Sequence, residues 1–341
     1  MSELVFIEAL IEWRKKSNAE QAIKLLDQAL NLHIAATKQA SGNLEFYIKL
    51  NADFLMELAQ EYLVHCGSKP ITSNMAPPKY LIKAIKLLEN VTKQNCGLTD
   101  AQLLLAKARW LANDVNAALR ELHNCLQKDP TLIEAHVLAA LINCESGSIK
   151  AAENNLQQAF AQDFKIRENP VFMLMKSEVE IKQQDWQNAL KTLEFAYELP
   201  GVKDSTLPPG KKYSLPFGQE ERARIFLNLV NVYCEVKNFD AAKRILSRAV
   251  GEFSNTPEEV RVMLAQADLA MKMGDTKKAL NMLKKIQPEN RSFMQAKKKQ
   301  AQIYLDELKD RNNYTRCYLE ILDADPSVNN FKMVAGALMD I

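Results

Sequence analysis

The sequence lacks the residues and motifs on which most enzymes and metalloproteins depend. Only four of its 341 residues are histidine, and no CxxC, HExxH, GxSxG, GxGxxG or GxxxxGK[ST] segment occurs. The neighbouring pairs His65–Cys66 and His123–Cys125 have no second half at the spacing of a zinc site. We therefore expect no catalytic residue, no cofactor and no structural metal.

Glycine, proline, long apolar runs and charge of one sign are also scarce. Ten glycines and twelve prolines gather between segments of helix-forming residues. The 44 basic and 42 acidic residues nearly cancel, so nothing in the total charge favours nucleic acid. No apolar stretch is long enough for a transmembrane helix, the N-terminal helix SELVFIEALIEWRKK has no basic leader, and six cysteines lack framework spacing. These features predict an all-α, cytoplasmic protein with free thiols.

The sequence does contain one short phrase that recurs along its whole length. It reads SNAEQAIK, NDVNAALR, GSIKAAEN, QDWQNALK, NFDAAKRI and GDTKKALN. The central alanines of the third and fourth phrases stand 37 residues apart, and those of the second and third stand 34 apart. These periods are typical of helix-turn-helix repeats. With two weaker copies, the anchor residues are Ala22, Ala84, Ala118, Ala152, Ala189, Ala242, Ala279 and Tyr314.

Each repeat unit is predicted to form two helices joined by a tight turn. In EEVRVMLAQADLAMKMGDTKKALNMLKKIQP, apolar residues follow helical spacing on both sides of Gly274 and Asp275. A small anchor residue would let the second helix cross the first closely. The pattern resembles the tetratricopeptide repeat over residues 3–326. It implies one right-handed superhelical solenoid over 1–341, with about eight helix pairs.

Three segments depart from the period. Inserted loops are expected at 66–79 and 199–218, and both are interpreted first as tolerated surface loops. Tyr213, Leu215 and Phe217 in the second loop favour an alternative in which it docks on another surface. A last apolar helix at 328–341 has no partner in the sequence, which suggests that the array continues beyond this chain.

The first helix of each pair is expected to line a concave groove that binds a peptide or a partner helix. The register of those helices gives a mixed, non-repeating set of side chains, which favours a specific protein partner over nucleic acid. The candidate contacts are Lys107, Trp110, Glu178, Arg224, Asn231, Arg261, Asp268 and Lys272.

A local excess of basic residues lies at 272–299, where nine lysines and arginines face only Asp275 and Glu289. One interpretation is a solvated face with partial ion pairing. The alternative is a patch for an acidic partner protein or for peripheral contact with a membrane surface. RNA fits less well, because no aromatic residues alternate with the lysines.

The stretch from LTDAQLLLAKARWLANDVNAALRELHNCLQKDP to NPVFMLMKSEVEIKQQDWQNAL, with the insert LPGVKDSTLPPGKKYSLPFGQEERARIFLNLVNVY, resembles the tetratricopeptide repeat protein 21 family. That family is the repeat subunit of intraflagellar transport complex A, which acts in retrograde ciliary transport and ciliary cargo trafficking. The resemblance implies a scaffold without chemistry of its own, located in the cytoplasm and the cilium, at the axoneme or basal body. Its implied partners are other complex A subunits. Members are several times longer, so the chain would be a fragment or truncated form.

Two alternatives stay open at this point. The chain could be a generic cytoplasmic adaptor built of the same repeats. It could also be the substrate-recruiting segment of an enzyme whose catalytic domain lies outside these 341 residues. Flanking sequence would separate them, since more repeats favour a scaffold and a phosphate-binding loop favours an enzyme.

Overall fold

The computed structural model describes residues 1–16, 18–38, 50–67, 69–71, 76–210, 212–288, 290 and 292–339. Over these residues the regular structure consists of α-helices and one short 3-10 helix, Phe164–Glu168, without a β-strand. This confirms the all-α helical-repeat prediction. No described helix combines the length and apolarity that a membrane crossing requires. The chain divides into two compact units, Met1–Phe164 and Lys165–Ile341.

The first unit is built of helix pairs. The helices pack as α1 with α2, α3 with α4, α5 with α6 and α7 with α8, and α3, α5 and α7 also contact one another in sequence. Their bounds are α1 Ser2–Lys16, α2 Ala19–Lys38, α3 Ala52–Val64, α4 Lys79–Gln94, α5 Thr99–Leu111, α6 Val115–Lys128, α7 Ile133–Glu145 and α8 Ile149–Gln162.

The second unit repeats this arrangement and adds a ninth helix. It pairs α9 with α10, α11 with α12, α13 with α14 and α15 with α16, while α17 packs on α16. The bounds are α9 Pro170–Lys182, α10 Trp186–Glu198, α11 Gln219–Glu235, α12 Phe239–Phe253, α13 Glu259–Lys272, α14 Thr276–Leu283, α15 Phe293–Asp306, α16 Arg311–Ala324 and α17 Val328–Met339. Of the predicted last helix, residues 340 and 341 lie outside the described part.

The anchor residues of the recurring phrase are buried. The seven anchor alanines are no more than 1% exposed, and Tyr314 is 7% exposed. Each lies in the second helix of a pair, near its N-terminal end, where that helix packs on the first. A small side chain at this position lets the two helices approach closely.

The polar residues before five of the anchors build the turn between the paired helices. Asp114, Asp185, Asn238, Asp275 and Asp310 are N-caps, and each side chain accepts a hydrogen bond from a backbone N–H in the first turn of the following helix. The residue before each cap has a positive φ; these residues are Asn113, Gln184, Lys237, Gly274 and Lys309. The phrase therefore encodes a left-handed residue, a cap and a close helix crossing in succession.

Replacing Gly274 by alanine should lower the free energy of unfolding by about 1 kcal/mol. Gly274 has φ 81°, and no heavy atom lies within 4 Å of an added Cβ, so backbone strain alone sets the cost. Gly251→Ala is the matched control, because Gly251 lies within α12 and also faces open space. There the same change should stabilise, by up to about 1 kcal/mol. Urea unfolding followed by circular dichroism measures both, and equal signs for the two variants would contradict this explanation of the turn.

Candidate functional site

The first helices of the second unit are joined by ion pairs between neighbouring repeats. Arg224 on α11 places Nη2 2.7 Å from both carboxylate oxygens of Glu178 on α9. Asn228 donates to the same carboxylate over 3.3 Å. Both charged side chains are about three-quarters buried, so water screens this pair less than a fully exposed one. The pair fixes α11 against α9.

The next pair of first helices is joined in the same way. Arg261 on α13 donates to Glu220 Oε1 on α11 over 3.1 Å, and to Glu258 on its own side over 2.9 Å. Further along, Lys272 Nζ lies 2.5 Å from Glu235 Oε1 and 3.5 Å from Asn231 Oδ1. The repeats of the second unit are therefore linked at both ends of α11 and α13.

The last ion pair of this series joins α13 to α15, where Lys299 pairs with Asp268. We call the series of ion pairs between first helices the ladder. All six candidate contacts in the second unit thus make polar contacts within the chain; they are Glu178, Arg224, Asn231, Arg261, Asp268 and Lys272. We call the side chains of α9, α11, α13 and α15 that carry these links the first-helix face. A partner that binds there meets groups that are already paired, so it must share or replace existing hydrogen bonds.

The other two candidate contacts lie in the first unit. Trp110 is 4% exposed and its Nε1 donates to Glu145 Oε2 over 3.1 Å, so the ring packs inside and offers no stacking surface. Lys107 on α5 is exposed. Burial raises the pKa of Glu134 on α7, with Asp100 adding to the rise and Lys107 opposing it. Of the two candidate contacts in the first unit, Lys107 is the one that a partner can reach directly.

A pocket of about 280 Å³ opens on the first-helix face between α13 and α15. Its walls combine apolar side chains such as Met271 and Ile303 with Asp268, Lys299 and an acidic pair at the end of α15, Asp306 and Glu307. Because Lys299 is paired with Asp268, the two remaining carboxylates leave the pocket acidic. It can receive a basic or amide side chain by hydrogen bonding.

The acidic pair Asp306 and Glu307 was not among the sequence-based candidates. Asp306 is the last residue of α15 and Glu307 follows it, in the segment DELKD, where the repeat pattern is weak. A cluster of carboxylates just after a predicted first helix was the signal that could have found them. Lys299, which the charge count along the sequence assigned to a basic stretch, lies on this face as well.

The basic stretch at 272–299 is partly neutralised by the fold. Lys272 pairs with Glu235, Lys299 pairs with Asp268, and Lys297 is buried with its Nζ 2.5 Å from Glu320 Oε2. Burial alone would raise the pKa of Glu320, but hydrogen bonds and charge from Lys297 and Arg316 lower it overall. Glu289 and Arg291 lie outside the described residues. Within the described residues, five lysines form no ion pair: Lys277, Lys278, Lys284, Lys285 and Lys298.

The insert at 199–218 packs on its own chain at both ends. Val202 and Leu215 are buried, and the Tyr213 hydroxyl donates to the Pro200 carbonyl over 2.6 Å. The Tyr213 and Phe217 rings meet edge to face at 5.8 Å. The apolar residues that suggested docking on another surface thus close the insert against the second unit, and residues 204–210 stay exposed. In the other insert, Ile71 donates its N–H to the Leu111 carbonyl, while residues 68 and 72–75 lie outside the described part.

Among the described residues, no three histidine, cysteine, aspartate or glutamate side chains come close enough to hold a metal ion. Burial raises the pKa of the Cys66 and Cys317 thiols to about 11, so both are protonated near neutral pH. The surfaces described here can recognise a partner by shape, hydrogen bonding and charge.

Two family models match the chain over most of its length. The model described as tetratricopeptide repeat protein 21 ARM repeat matches residues 164–321, and the model described as tetratricopeptide repeat protein 21 second ARM domain matches residues 1–147. The chain belongs to the tetratricopeptide repeat protein 21 family. This confirms the resemblance read from the repeats and the insert. The boundary between the two family models falls close to the boundary between the two compact units.

Two curated relatives show the extent of this likeness. The chain is 33% identical to tetratricopeptide repeat protein 21B of Mus musculus over 340 residues, and 33% identical to the Homo sapiens protein of that name over 343 residues. Each alignment covers 100% of this chain but 26% of the relative. The chain therefore spans about a quarter of the length of the curated relatives it matches.

Among solved structures, a tetratricopeptide repeat protein from Parabacteroides merdae superposes with a TM-score of 0.59 at 14% identity. The superposition covers 84% of this chain and 98% of that one. At this identity the likeness concerns the fold alone. It shows that this member of the tetratricopeptide repeat protein 21 family shares the helix-pair architecture of tetratricopeptide repeats.

If the ladder of ion pairs ties neighbouring repeats together, its members should be energetically coupled. In a double-mutant cycle, Glu178→Ala and Arg224→Ala should show a coupling energy of about 1 kcal/mol, because each residue loses a partner that is about three-quarters buried. The exposed Glu20–Lys24 pair on α2 is the control, and its coupling should be much smaller. Urea unfolding measures both cycles. Equal coupling in the two cycles would mean that the ladder does not tie the repeats together.

Proposed function

We propose that this chain is a non-catalytic protein-interaction scaffold, and that it acts as part of intraflagellar transport complex A in retrograde ciliary transport and ciliary cargo trafficking. The observation that carries the proposal is membership of the tetratricopeptide repeat protein 21 family, supported by family models that match residues 1–147 and 164–321. The complex A role is the function implied by the family resemblance. In that role the chain would act in the cytoplasm and at the cilium.

The architecture supports an interaction role. Stacked helix pairs present extended surfaces on which one partner can contact several repeats at once. In the second unit those repeats are tied by the ladder Glu178–Arg224, Glu220–Arg261, Glu235–Lys272 and Asp268–Lys299. A surface held in place before binding loses little conformational entropy when a partner arrives, which favours affinity.

The first-helix face is proposed as a contact surface for another complex A subunit. Its side chains alternate in charge, so it favours a partner with a matching pattern over a uniform polyanion. The acidic pocket at Asp306 and Glu307 would take a basic side chain of that partner. Lys107 in the first unit would contribute a separate contact, because it is exposed.

Affinity purification tests the proposal in cells. The full-length protein that contains this chain is tagged in ciliated cells, and the recovered proteins are quantified by mass spectrometry. We expect the other complex A subunits to be enriched over a tagged, unrelated helical-repeat protein. Recovery of a different cytoplasmic set without complex A subunits would instead favour the generic adaptor.

A further inference from the structure

A second groove in the second unit has a lining that suits a peptide. It lies between α12 and α14, the second helices of two consecutive pairs, and α13 forms its floor. Its volume is about 290 Å³. This is small for a free ligand but large enough for anchoring side chains of a peptide.

The floor and walls of this groove are apolar and accessible. Leu246, Val250, Met273 and Met282 line it, and Val250 and Met273 are 39% and 45% exposed. Methionine side chains adapt to different apolar partners. Ser247 and Gln266 add hydrogen-bonding groups beside them. An apolar side chain of a partner would lose its contact with water here, while the backbone of the partner would lie near Ser247 and Gln266.

The rim of the groove is basic. Lys243 on α12 and Lys278 on α14 stand at its two walls. Lys243 lies 3.8 Å from Asp240, whose side chain is 94% exposed, so this ion pair holds it weakly. Asp275 is the acidic residue of the lining, and its carboxylate accepts the backbone N–H of Lys278 as the N-cap of α14. The hydrogen bond and the positive end of the α14 helix dipole therefore partly neutralise the negative charge of Asp275.

The segment that leaves the groove is basic as well. Residues 276–288 contain Lys277, Lys278, Lys284 and Lys285 and no acidic residue. All four lysines are exposed, and none forms an ion pair within the described part of the chain. Lys284 and Lys285 follow the last residue of α14, Leu283, so positive charge continues just beyond the end of that helix.

We propose that the groove between α12 and α14 binds an acidic peptide segment of a partner protein that carries an apolar anchor residue. The anchor packs between Val250, Met273 and Met282, and flanking carboxylates pair with Lys243 and Lys278. Charge complementarity decides the class of occupant. The basic rim repels a basic peptide and attracts an acidic one, and the apolar floor accepts the anchor residue. The inference rests on the scaffold role proposed above and adds a second surface to it.

The test uses the 341-residue chain and three fluorescein-labelled probe peptides. The first repeats Glu-Glu-Leu, the second repeats Lys-Lys-Leu, and the third repeats Glu-Glu-Ser. Fluorescence anisotropy at low salt should show binding of the first probe, much weaker binding of the third and none of the second. Added salt should weaken the first interaction, because exposed charges are screened.

Variants then locate the site. The double variant Lys243→Glu with Lys278→Glu should weaken binding of the Glu-Glu-Leu probe about tenfold or more. The matched control, Lys150→Glu with Lys191→Glu, changes two exposed lysines on α8 and α10 and should leave binding within about twofold. Val250→Ser with Met273→Ser removes apolar contact without changing charge, and it should also weaken binding. Circular dichroism checks that each variant is folded.

Several results would overturn the inference. They are equal loss in the control double variant, equal binding of the Lys-Lys-Leu probe, and no binding of the Glu-Glu-Leu probe. Binding to vesicles of phosphatidylserine without binding to that probe would assign the lysines to a membrane surface instead. Each of these results leaves the co-purification of complex A subunits untouched, so failure here is distinct from failure of the proposed function.

Discussion

Replacing Arg222 by alanine is expected to lower the free energy of unfolding of the second unit by roughly 3–5 kcal/mol. Arg222 is 4% exposed and holds the insert to the helices behind it. Its Nε donates to the Val202 carbonyl over 2.6 Å, and its Nη2 donates to the Lys203 carbonyl over 3.1 Å and to Glu252 over 2.6 Å. Alanine would leave the Val202 carbonyl and the Glu252 carboxylate without this donor, while the Lys203 carbonyl would keep its hydrogen bond from Arg248.

The guanidinium also packs against two fully buried rings. It lies 5.6 Å from the centre of Phe226 and 5.2 Å from that of Phe253. Arg222→Lys would keep the charge but lose the planar fork of donors, so we expect an intermediate loss. Arg244→Ala, on the exposed side of α12, is the matched control and should change stability little.

Urea unfolding gives the energies, and limited trypsin digestion reports on the insert. In the Arg222→Ala variant, cleavage after Lys203 should become faster, because the Val202 carbonyl loses its donor and the Lys203 carbonyl loses one of its two guanidinium donors. A variant that loses less than about 1 kcal/mol would show that Arg222 does not anchor the insert.

Enlarging the anchor alanine of a repeat should have the second largest effect. Ala152→Leu is expected to destabilise the first unit by about 1–3 kcal/mol, because added methyl groups must push α8 away from α7. Ala152 is fully buried in the second helix of its pair. Its neighbour Ala151 is exposed on the same helix.

Ala151→Leu is therefore a control one residue away, with the same change in volume and in helix propensity. It should alter the free energy of unfolding by no more than about 0.5 kcal/mol. Thermal unfolding followed by circular dichroism compares the two variants. Similar losses for both would refute the close crossing as the reason for a small residue at the anchor.

The sequence was sufficient to predict the helix pairs because the signal for each turn is local. A left-handed residue, a capping side chain and a small anchor fall within six consecutive positions, as in Gln184, Asp185 and Ala189. Backbone strain, capping and helix crossing act within that short stretch. No information from distant parts of the chain is needed to recognise it.

The ladder of ion pairs could not be predicted in the same way. Glu178 and Arg224 stand on successive first helices, α9 and α11, and the chain between these helices forms α10 and the inserted loop. Which carboxylate meets which guanidinium depends on the rotation and offset of packed helices. The register placed six residues on first helices but gave no indication that they already make polar contacts within the chain.

The basic stretch at 272–299 shows the same limit. Counting charges along the sequence gave a single patch, whereas the fold directs Lys272 and Lys299 to one face and Lys278 to the other. Lys297 is turned inward toward Glu320. What looked like one basic surface is two features with different chemistry, of which the groove between α12 and α14 keeps its charge.

Direct binding to the transport complex tests the scaffold role most closely. Complex A is purified from cells that lack their own tetratricopeptide repeat protein 21, mixed with the 341-residue chain, and separated by analytical size-exclusion chromatography. We expect the chain to elute with complex A. We also expect Asp306→Lys with Glu307→Lys, which reverses the acidic pocket, to reduce the bound fraction. Separate elution of the folded wild-type chain at micromolar concentrations would contradict the proposed role.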